Sequence, residues 1–234
     1  SISKSKYKGL VQTGAVATIT QFSDITFDPK GNLFISDRLN HQIRKIDYDG
    51  NISTIAGTGD SDHDGDGGPA LEATFRDPNA LASDKKGNIF VADTANNLIR
   101  KIDTKGIVTT FAGNGEHADS GDGGSALEAA IRSMDDIEFS PEGELHILGT
   151  NTHRVRKITK DGKILTVAGK GYAGFFGDDG PAINAMLKNP AAISFDSKGN
   201  LYIADMGNNR IRKVDKKGII TTFAGTGKFG WGRT

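Results

Sequence analysis

The 234-residue chain contains no cysteine. That excludes disulfides, thiol catalysis and cysteine-ligated zinc, and it is compatible with any compartment. No charge sign is in excess: 29 basic residues balance 29 acidic ones. No global field therefore draws the chain to nucleic acid or to an anionic membrane. No apolar run approaches the roughly 18 residues that span a bilayer. The opening SISKSKYKG has neither a hydrophobic leader nor an initiating Met, which reads as a chain either processed or cut from a longer one, so that an address label need not be present in it. The compartment is not legible, and a secreted, periplasmic or cell-surface setting is the expectation. Proline is scarce, at six residues, while glycine reaches 31. The chain therefore makes many tight turns and makes them with glycine.

What is present is a period. DPKGNLFISD (28–37) returns as DKKGNIFVAD (84–93) and DSKGNLYIAD (196–205), with a weaker copy, SPEGELHILG, at 140–149. Gly31, Gly87, Gly143 and Gly199 are 56 residues apart, as are Gly50, Gly106, Gly162 and Gly218. Arg-Lys recurs in QIRKID, LIRKID, RVRKIT and RIRKVD, and each copy ends on IAGTG, FAGNG, VAGKG or FAGTG. The repeats run over about 24–79, 80–135, 136–191 and 192–234. Residues 1–23 are left to complete or clasp the ring, and no linker or second domain remains.

Each repeat reads as four short strands, with KGN and DYDGN as the hairpin turns. Apolar residues do not alternate along them: Leu33, Phe34 and Ile35 run together, and Ile43 and Ile46 point to opposite faces. Both faces are therefore buried, as in a propeller blade packed between two neighbours. The predicted fold is an all-β propeller of four-stranded antiparallel blades. A closed ring of four is favoured. The alternative is part of a larger ring, or one closed through a partner chain. A self-closed ring predicts a monomer, an incomplete one an oligomer.

At GNLFISDRLNHQIRKID, GNIFVADTANNLIRKID and GNLYIADMGNNRIRKVD the chain resembles NHL-repeat proteins. The resemblance implies a β-propeller, often six-bladed, whose members mostly bind proteins or other macromolecules, with a few lyases and lactonases among their relatives. The Asn-His position of the family falls at Asn40-His41, Asn96-Asn97 and Asn208-Asn209, and at Thr152-His153 in the third repeat. Four repeats instead of six, and the long loop GTGDSDHDGDGGPALEATFRDP, depart from the pattern.

Asp37, Asp93 and Asp205 end the second strand, and Arg44, Arg100 and Arg212 lie on its hairpin partner. They read as structural ion pairs within each blade. The third repeat breaks the rule: Gly149 replaces the Asp, leaving Arg156 without its recurring carboxylate. His146, Asn151 and His153 stand nearby in sequence. This blade is the candidate ligand site, against ordinary drift with Glu142 or Glu144 substituting as partner. On the ligand reading, Arg156→Ala alters binding with little loss of stability.

GDSDHDGDGG places Asp60, Asp62 and Asp64 as an EF-hand loop would, but Leu71 occupies the position of the bidentate Glu. A metal site there would hold incidental calcium only, and no other cofactor is expected. The neighbouring Asp66 recurs as Asp122 and Asp178 ahead of PALEA, SALEA and PAINA, which reads as capping of a helical turn between blades.

No Gly-x-Ser-x-Gly, P-loop or His-Glu-x-x-His occurs. The expected function is a non-catalytic binding scaffold, with protein as partner. Nucleic acid is disfavoured by the neutral charge. The alternatives are a metal-dependent lactonase- or lyase-like propeller with a central-channel site, and a structural module of a longer surface protein.

Overall fold

The structure is a computed structural model that describes residues 21–230. Blade 1 comprises β1 (Phe22–Phe27), β2 (Leu33–Asp37), β3 (Gln42–Ile46) and β4 (Ile52–Ala56). Blade 2 comprises β5 (Pro78–Ser83), β6 (Ile89–Asp93), β7 (Leu98–Ile102) and β8 (Val108–Ala112). Blade 3 comprises β9 (Met134–Phe139), β10 (Leu145–Gly149), β11 (Arg154–Ile158) and β12 (Ile164–Ala168). The two-residue β13 (Gly180–Pro181) precedes blade 4, formed by β14 (Ala192–Phe195), β15 (Leu201–Asp205), β16 (Arg210–Val214) and β17 (Ile219–Ala224). Each blade is an antiparallel meander in chain order, and β13 adds to the outer edge of β17. Of residues 1–23, expected to complete or clasp the ring, 1–20 lie outside the described residues.

The turns explain the repeated Asp and Gly. Asp28 Oδ1 accepts the N–H groups of Lys30 and Asn32, both at 2.9 Å. Gly31 closes the turn at φ +86°, where a side chain would be strained. Asp84 and Asp196 repeat this arrangement, as Asp47, Asp103 and Asp215 do in the β3–β4 type of hairpin. Blade 3 substitutes hydroxyls: Ser140 Oγ and Thr159 Oγ1 accept the Glu144 and Lys163 N–H groups. After the second strand the chain makes one short helical turn, except in blade 3. In all four blades it then enters the left-handed region at His41, Asn97, His153 or Asn209. A Cβ on Gly57 would run into the His41 carbonyl, which accounts for the first glycine of the AGxG ending.

Both blade faces are buried: every residue of β6 and β10 is shielded from solvent. Three apolar cores sit between consecutive blades. Phe34, Ile43 and Phe75 join blade 1 to blade 2 with Leu81 and Val91. Phe90 and Ile99 meet Ile137, Ile147 and Ile158 between blades 2 and 3. Leu148 and Val155 meet Ile193, Ile203 and Val214 between blades 3 and 4. Among the described residues no such core joins blade 4 to blade 1. Ile25 of β1 is 51% exposed, whereas its equivalents Leu81, Ile137 and Ile193 are 3%, 2% and 6% exposed.

The loops between blades correct the capping expectation. The short helical turn Ala70–Glu72 starts at Pro69 with no side-chain cap, and Ala182–Asn184 starts at Pro181 in the same way. Backbone bonds strap the loop onto the next blade instead, from Gly67 N–H to Val108 O and from Ala70 N–H to Gly106 O. The recurring aspartate is thereby placed over the third strand of that blade.

Candidate functional site

In blades 2, 3 and 4 a buried arginine stands in the middle of the third strand. Arg100 and Arg212 are 0% exposed and Arg156 is 3% exposed. Their main partners come from the preceding loop. Arg100 Nη2 lies 2.7 Å from Asp66, Arg156 Nη2 lies 2.6 Å from Asp122, and Arg212 Nη2 lies 2.6 Å from Asp178. The other carboxylate oxygen ties down the outer strand, accepting the Thr110 N–H at 2.9 Å, the Thr166 N–H at 3.0 Å and the Thr222 hydroxyl at 2.6 Å. Each Arg–Asp pair is therefore a latch between a loop and a blade.

The hairpin aspartates play a secondary part. Asp93 lies 3.6 Å from Arg100 and Asp205 lies 3.3 Å from Arg212. Their shorter bonds accept the Arg76 and Lys188 N–H groups at 2.7 Å and the amides of Asn96 and Asn208. Burial pushes Asp93 up to about 6. The family's Asn thus fixes a buried carboxylate. In blade 1, Asp37 accepts from Asn40 at 3.0 Å, whereas Arg44 donates to Gln42 Oε1. No Asp37–Arg44 ion pair forms among the described residues, and Arg44 Nε is buried without a hydrogen-bond partner. At the 56-residue spacing, Leu10 stands where Asp66 would be.

Blade 3 corrects the expectation for Arg156. It has carboxylate partners: Asp122 at 2.6 Å and Asp119 at 3.1 Å. It also donates to the carbonyls of Ala130 and Ser120. Glu144 instead pairs with Lys157 at 2.7 Å, and Glu142 lies 3.4 Å from Lys216. The missing hairpin aspartate is replaced by one from the loop, so the guanidinium is fully engaged. His146 is buried edge-on against Phe195, with ring centroids 4.7 Å apart, and desolvation pushes it down to about 4. His153 sits in the left-handed turn, its Nδ1 accepting the Asn189 N–H. Asn151 is exposed and donates to Ser133 Oγ. The structure does not bring these four residues together. Asn151 instead borders a polar cavity of about 460 Å³ with His117, Asp119, Arg132, Arg154 and Tyr172.

Asp60, Asp62 and Asp64 are all exposed and point to local partners. Asp60 accepts from Thr58 and Asp62 from His63, while the Asp64 N–H donates to Thr74 Oγ1. Among the described residues no three His, Asp or Glu side chains are grouped to hold a metal ion.

Two features were not singled out from the sequence. The first is a set of carboxylates on the inner strands. Asp24 accepts the Leu81 N–H at 2.8 Å, and Asp136 accepts the Ile193 N–H at 2.7 Å. Glu138 accepts the Ser194 hydroxyl at 3.4 Å. These residues tie blade 1 to blade 2 and blade 3 to blade 4. Desolvation raises all three, Asp136 to about 6 and Glu138 to about 7. The equivalent residues facing blade 3 from blade 2 are Ala80 and Ala82.

The second feature is a cleft of about 1130 Å³ between blades 2 and 3, on the hairpin end. Phe90 forms its floor, with the rings of Phe111 and Phe139 packed edge-on at 4.8 and 4.9 Å. Its mouth is spanned by Lys85, whose ammonium donates to Pro141 O at 2.8 Å. The signal for it is legible in the repeat: Ser83 stands where the other copies have Phe27, Phe139 and Phe195. The corresponding space between blades 1 and 2 is only about 260 Å³.

With this geometry in hand, comparison with known proteins is informative. Teneurin-m of Drosophila melanogaster is 31% identical over 222 residues, a match covering 83% of this chain and 8% of that protein. Human Teneurin-1 is 29% identical over 231 residues, covering 86% of this chain and 8% of that protein. The chain thus spans less than a tenth of the length of these relatives. The fold is similar to that of a virginiamycin B lyase from Staphylococcus aureus, with a TM-score of 0.58 and 20% identity over 88% of this chain and 56% of that one. The family model described as Teneurin NHL domain matches residues 57–123 and 172–232, more than half of the sequence. The repeat, the blades and this match together make the chain a member of the teneurin NHL-domain family.

Proposed function

We propose that this propeller is a non-catalytic scaffold that binds protein, as a module of a longer surface protein. The observation that carries the reading is the distribution of its polar groups. The buried arginines and aspartates of blades 2, 3 and 4 are spent on holding loops to strands, and a departure from the repeat at Ser83 opens a cleft with an aromatic floor. Scaffolds present such clefts to partners. The exposure of Ile25, Phe27 and Phe22 along β1 supports a further part of the reading. The four blades then belong to a ring that further chain of the longer protein completes.

The test is capture of a partner by the purified chain from a membrane-protein extract, followed by size-exclusion chromatography. One protein co-eluting at fixed stoichiometry supports the scaffold. No co-eluting protein, together with a melting temperature raised by calcium or zinc, favours the metal-dependent enzyme instead.

A further inference from the structure

The polar cavity bordered by Asn151 sits where blade 3 departs from its siblings. It is separate from the cleft and does not depend on the protein-binding reading. In blades 2 and 4 a buried aspartate, Asp93 or Asp205, accepts the backbone N–H of Arg76 or Lys188 at 2.7 Å. Arg76 and Lys188 are themselves exposed. In blade 3 Gly149 replaces the aspartate, and Arg132 is the equivalent of Arg76 and Lys188. Arg132 is partly buried and lines a cavity of about 460 Å³. Its Nε is enclosed without a hydrogen-bond partner. No carboxylate lies within 4 Å of its guanidinium among the described residues. Asp135, in the same segment, accepts the Thr150 N–H at 2.9 Å instead. A partly enclosed cation without a partner costs free energy, and local losses of this kind concentrate at functional sites.

The one carboxylate lining the cavity among the described residues is Asp119, and it is already committed. It lies 3.0 Å from Arg154 and 3.1 Å from Arg156, and Arg156 has Asp122 as its second partner at 2.6 Å. Three guanidinium groups therefore meet two carboxylates, and the surplus charge is that of Arg132. Arg154 is fixed in place. Its Nη2 donates to Lys170 O at 3.0 Å, and a Cβ on Gly171 would come within 2.7 Å of the guanidinium. The rest of the lining offers hydrogen bonds. His117, Asn151 and Tyr172 are all exposed at the cavity, and Asn151 spends one amide N–H on Ser133 Oγ.

This lining selects a ligand by its chemistry. A guanidinium fork matches the paired oxygens of a carboxylate. The volume falls within the roughly 300–1,000 Å³ usual for a small-molecule site. Ala118 is the one apolar side chain in the lining among the described residues, so a ligand must carry polar groups around its body. We propose that this cavity binds a small hydroxylated carboxylate with the size and polarity of a sugar acid. Arg132 pairs with the carboxylate, and His117, Asn151 and Tyr172 bond the hydroxyl groups.

Isothermal titration calorimetry of the full chain with sodium glucuronate tests this. Saturable binding is expected. Glucose, which lacks the carboxylate, and sodium sulfate, which lacks the hydroxyl groups, should each bind at least about ten-fold more weakly. Arg132→Met should weaken glucuronate binding by at least about ten-fold. Because Arg132 has no partner among the described residues, this variant should keep or raise the denaturant unfolding midpoint, which separates lost binding from a lost fold. Absence of saturable binding at about 10 mM glucuronate overturns the proposal. Equal binding of glucose or sulfate does so too, as does unchanged affinity in Arg132→Met. A lowered midpoint in that variant would make the arginine structural and likewise overturn the site.

Discussion

The latch and the cleft draw on neighbouring residues of the same blade, Arg100 and Lys101 on β7, and they respond to the repeat in opposite ways. At the latch, sequence changes are absorbed. Blade 3 loses its hairpin aspartate at Gly149, yet Asp119 supplies a carboxylate and Arg156 stays buried and paired. At the cleft, one change is not absorbed. Ser83 replaces an aromatic ring and the space stays open, about 1130 Å³ against about 260 Å³ one interface earlier. The difference follows from cost. A fully buried guanidinium without a partner loses several kcal/mol, so Arg156 keeps a carboxylate, whereas the partly buried Arg44 stands without one among the described residues. An apolar gap open to solvent costs little, so it can persist.

The sharpest way to break this comparison is to remove the latch. Arg156→Met should destabilise the fold by on the order of 3 kcal/mol, because Asp119, Asp122 and two loop carbonyls lose their donor. Asp122 keeps contact with water, which holds the loss below that of a fully enclosed pair. Arg44→Met should cost clearly less, since that arginine has no carboxylate within 4 Å among the described residues. Denaturant unfolding midpoints measure both. Equal losses would mean that the loop aspartate adds nothing to the latch.

A second contrast separates the blade interfaces by pH. Glu138 and Asp136 tie blade 3 to blade 4 and are raised by burial to about 7 and about 6, from ordinary values of 4.5 and 3.8. Groups raised on folding bind protons more tightly in the native state. Their contribution is full below about pH 4 and is lost as pH rises toward 7. A chain carrying Asp136→Asn and Glu138→Gln should therefore gain stability relative to wild type between pH 5 and pH 8. His146, lowered to about 4, acts in the opposite sense below 6.5, so the variant-minus-wild-type difference is the readout. A difference that does not change with pH would show that these carboxylates are not desolvated. The alanines at the same positions of blade 2, Ala80 and Ala82, contribute no such dependence.

Legibility in the sequence follows the same division. The 56-residue period gave the blades, their turns and the buried second strands directly, because each copy needs the same Asp, Gly and apolar run. The hairpin pairs Asp93–Arg100 and Asp205–Arg212 do form, but the closer half of the latch is hidden in the sequence because Asp66 and Arg100 are 34 residues apart. The eye pairs Arg100 with Asp93 on the adjacent strand, and only the strap of the loop onto blade 2 brings Asp66 in closer. His146, Asn151 and His153 are close in the chain but alternate between faces and ends of the blade, so sequence proximity misled. The cleft was visible as Ser83 in a column of phenylalanines, a small residue that attracts no attention when only chemically reactive side chains are being sought.

Filling the cleft gives a smaller effect. Ser83→Phe restores the repeat, and its ring should pack beside Phe139 and gain about 1 kcal/mol, as cavity-filling changes commonly do. A loss of similar size in the unfolding midpoint would show that β5 cannot place the ring as β9 places Phe139, and that the gap reflects a backbone difference rather than a missing side chain.

The smallest effect is expected at Lys101. If its ammonium is spare, Lys101→Ala should change stability by no more than about 0.5 kcal/mol, whereas Lys157→Ala, which removes the partner of Glu144, should cost more because that carboxylate is partly enclosed. The two lysines occupy the same strand position in adjacent blades, so the backbone and the alkyl packing largely cancel between them. What remains is the presence or absence of one carboxylate. A larger loss at Lys101 than at Lys157 would place Lys101 in the structural set with the arginines and take its charge away from the surface offered to a partner.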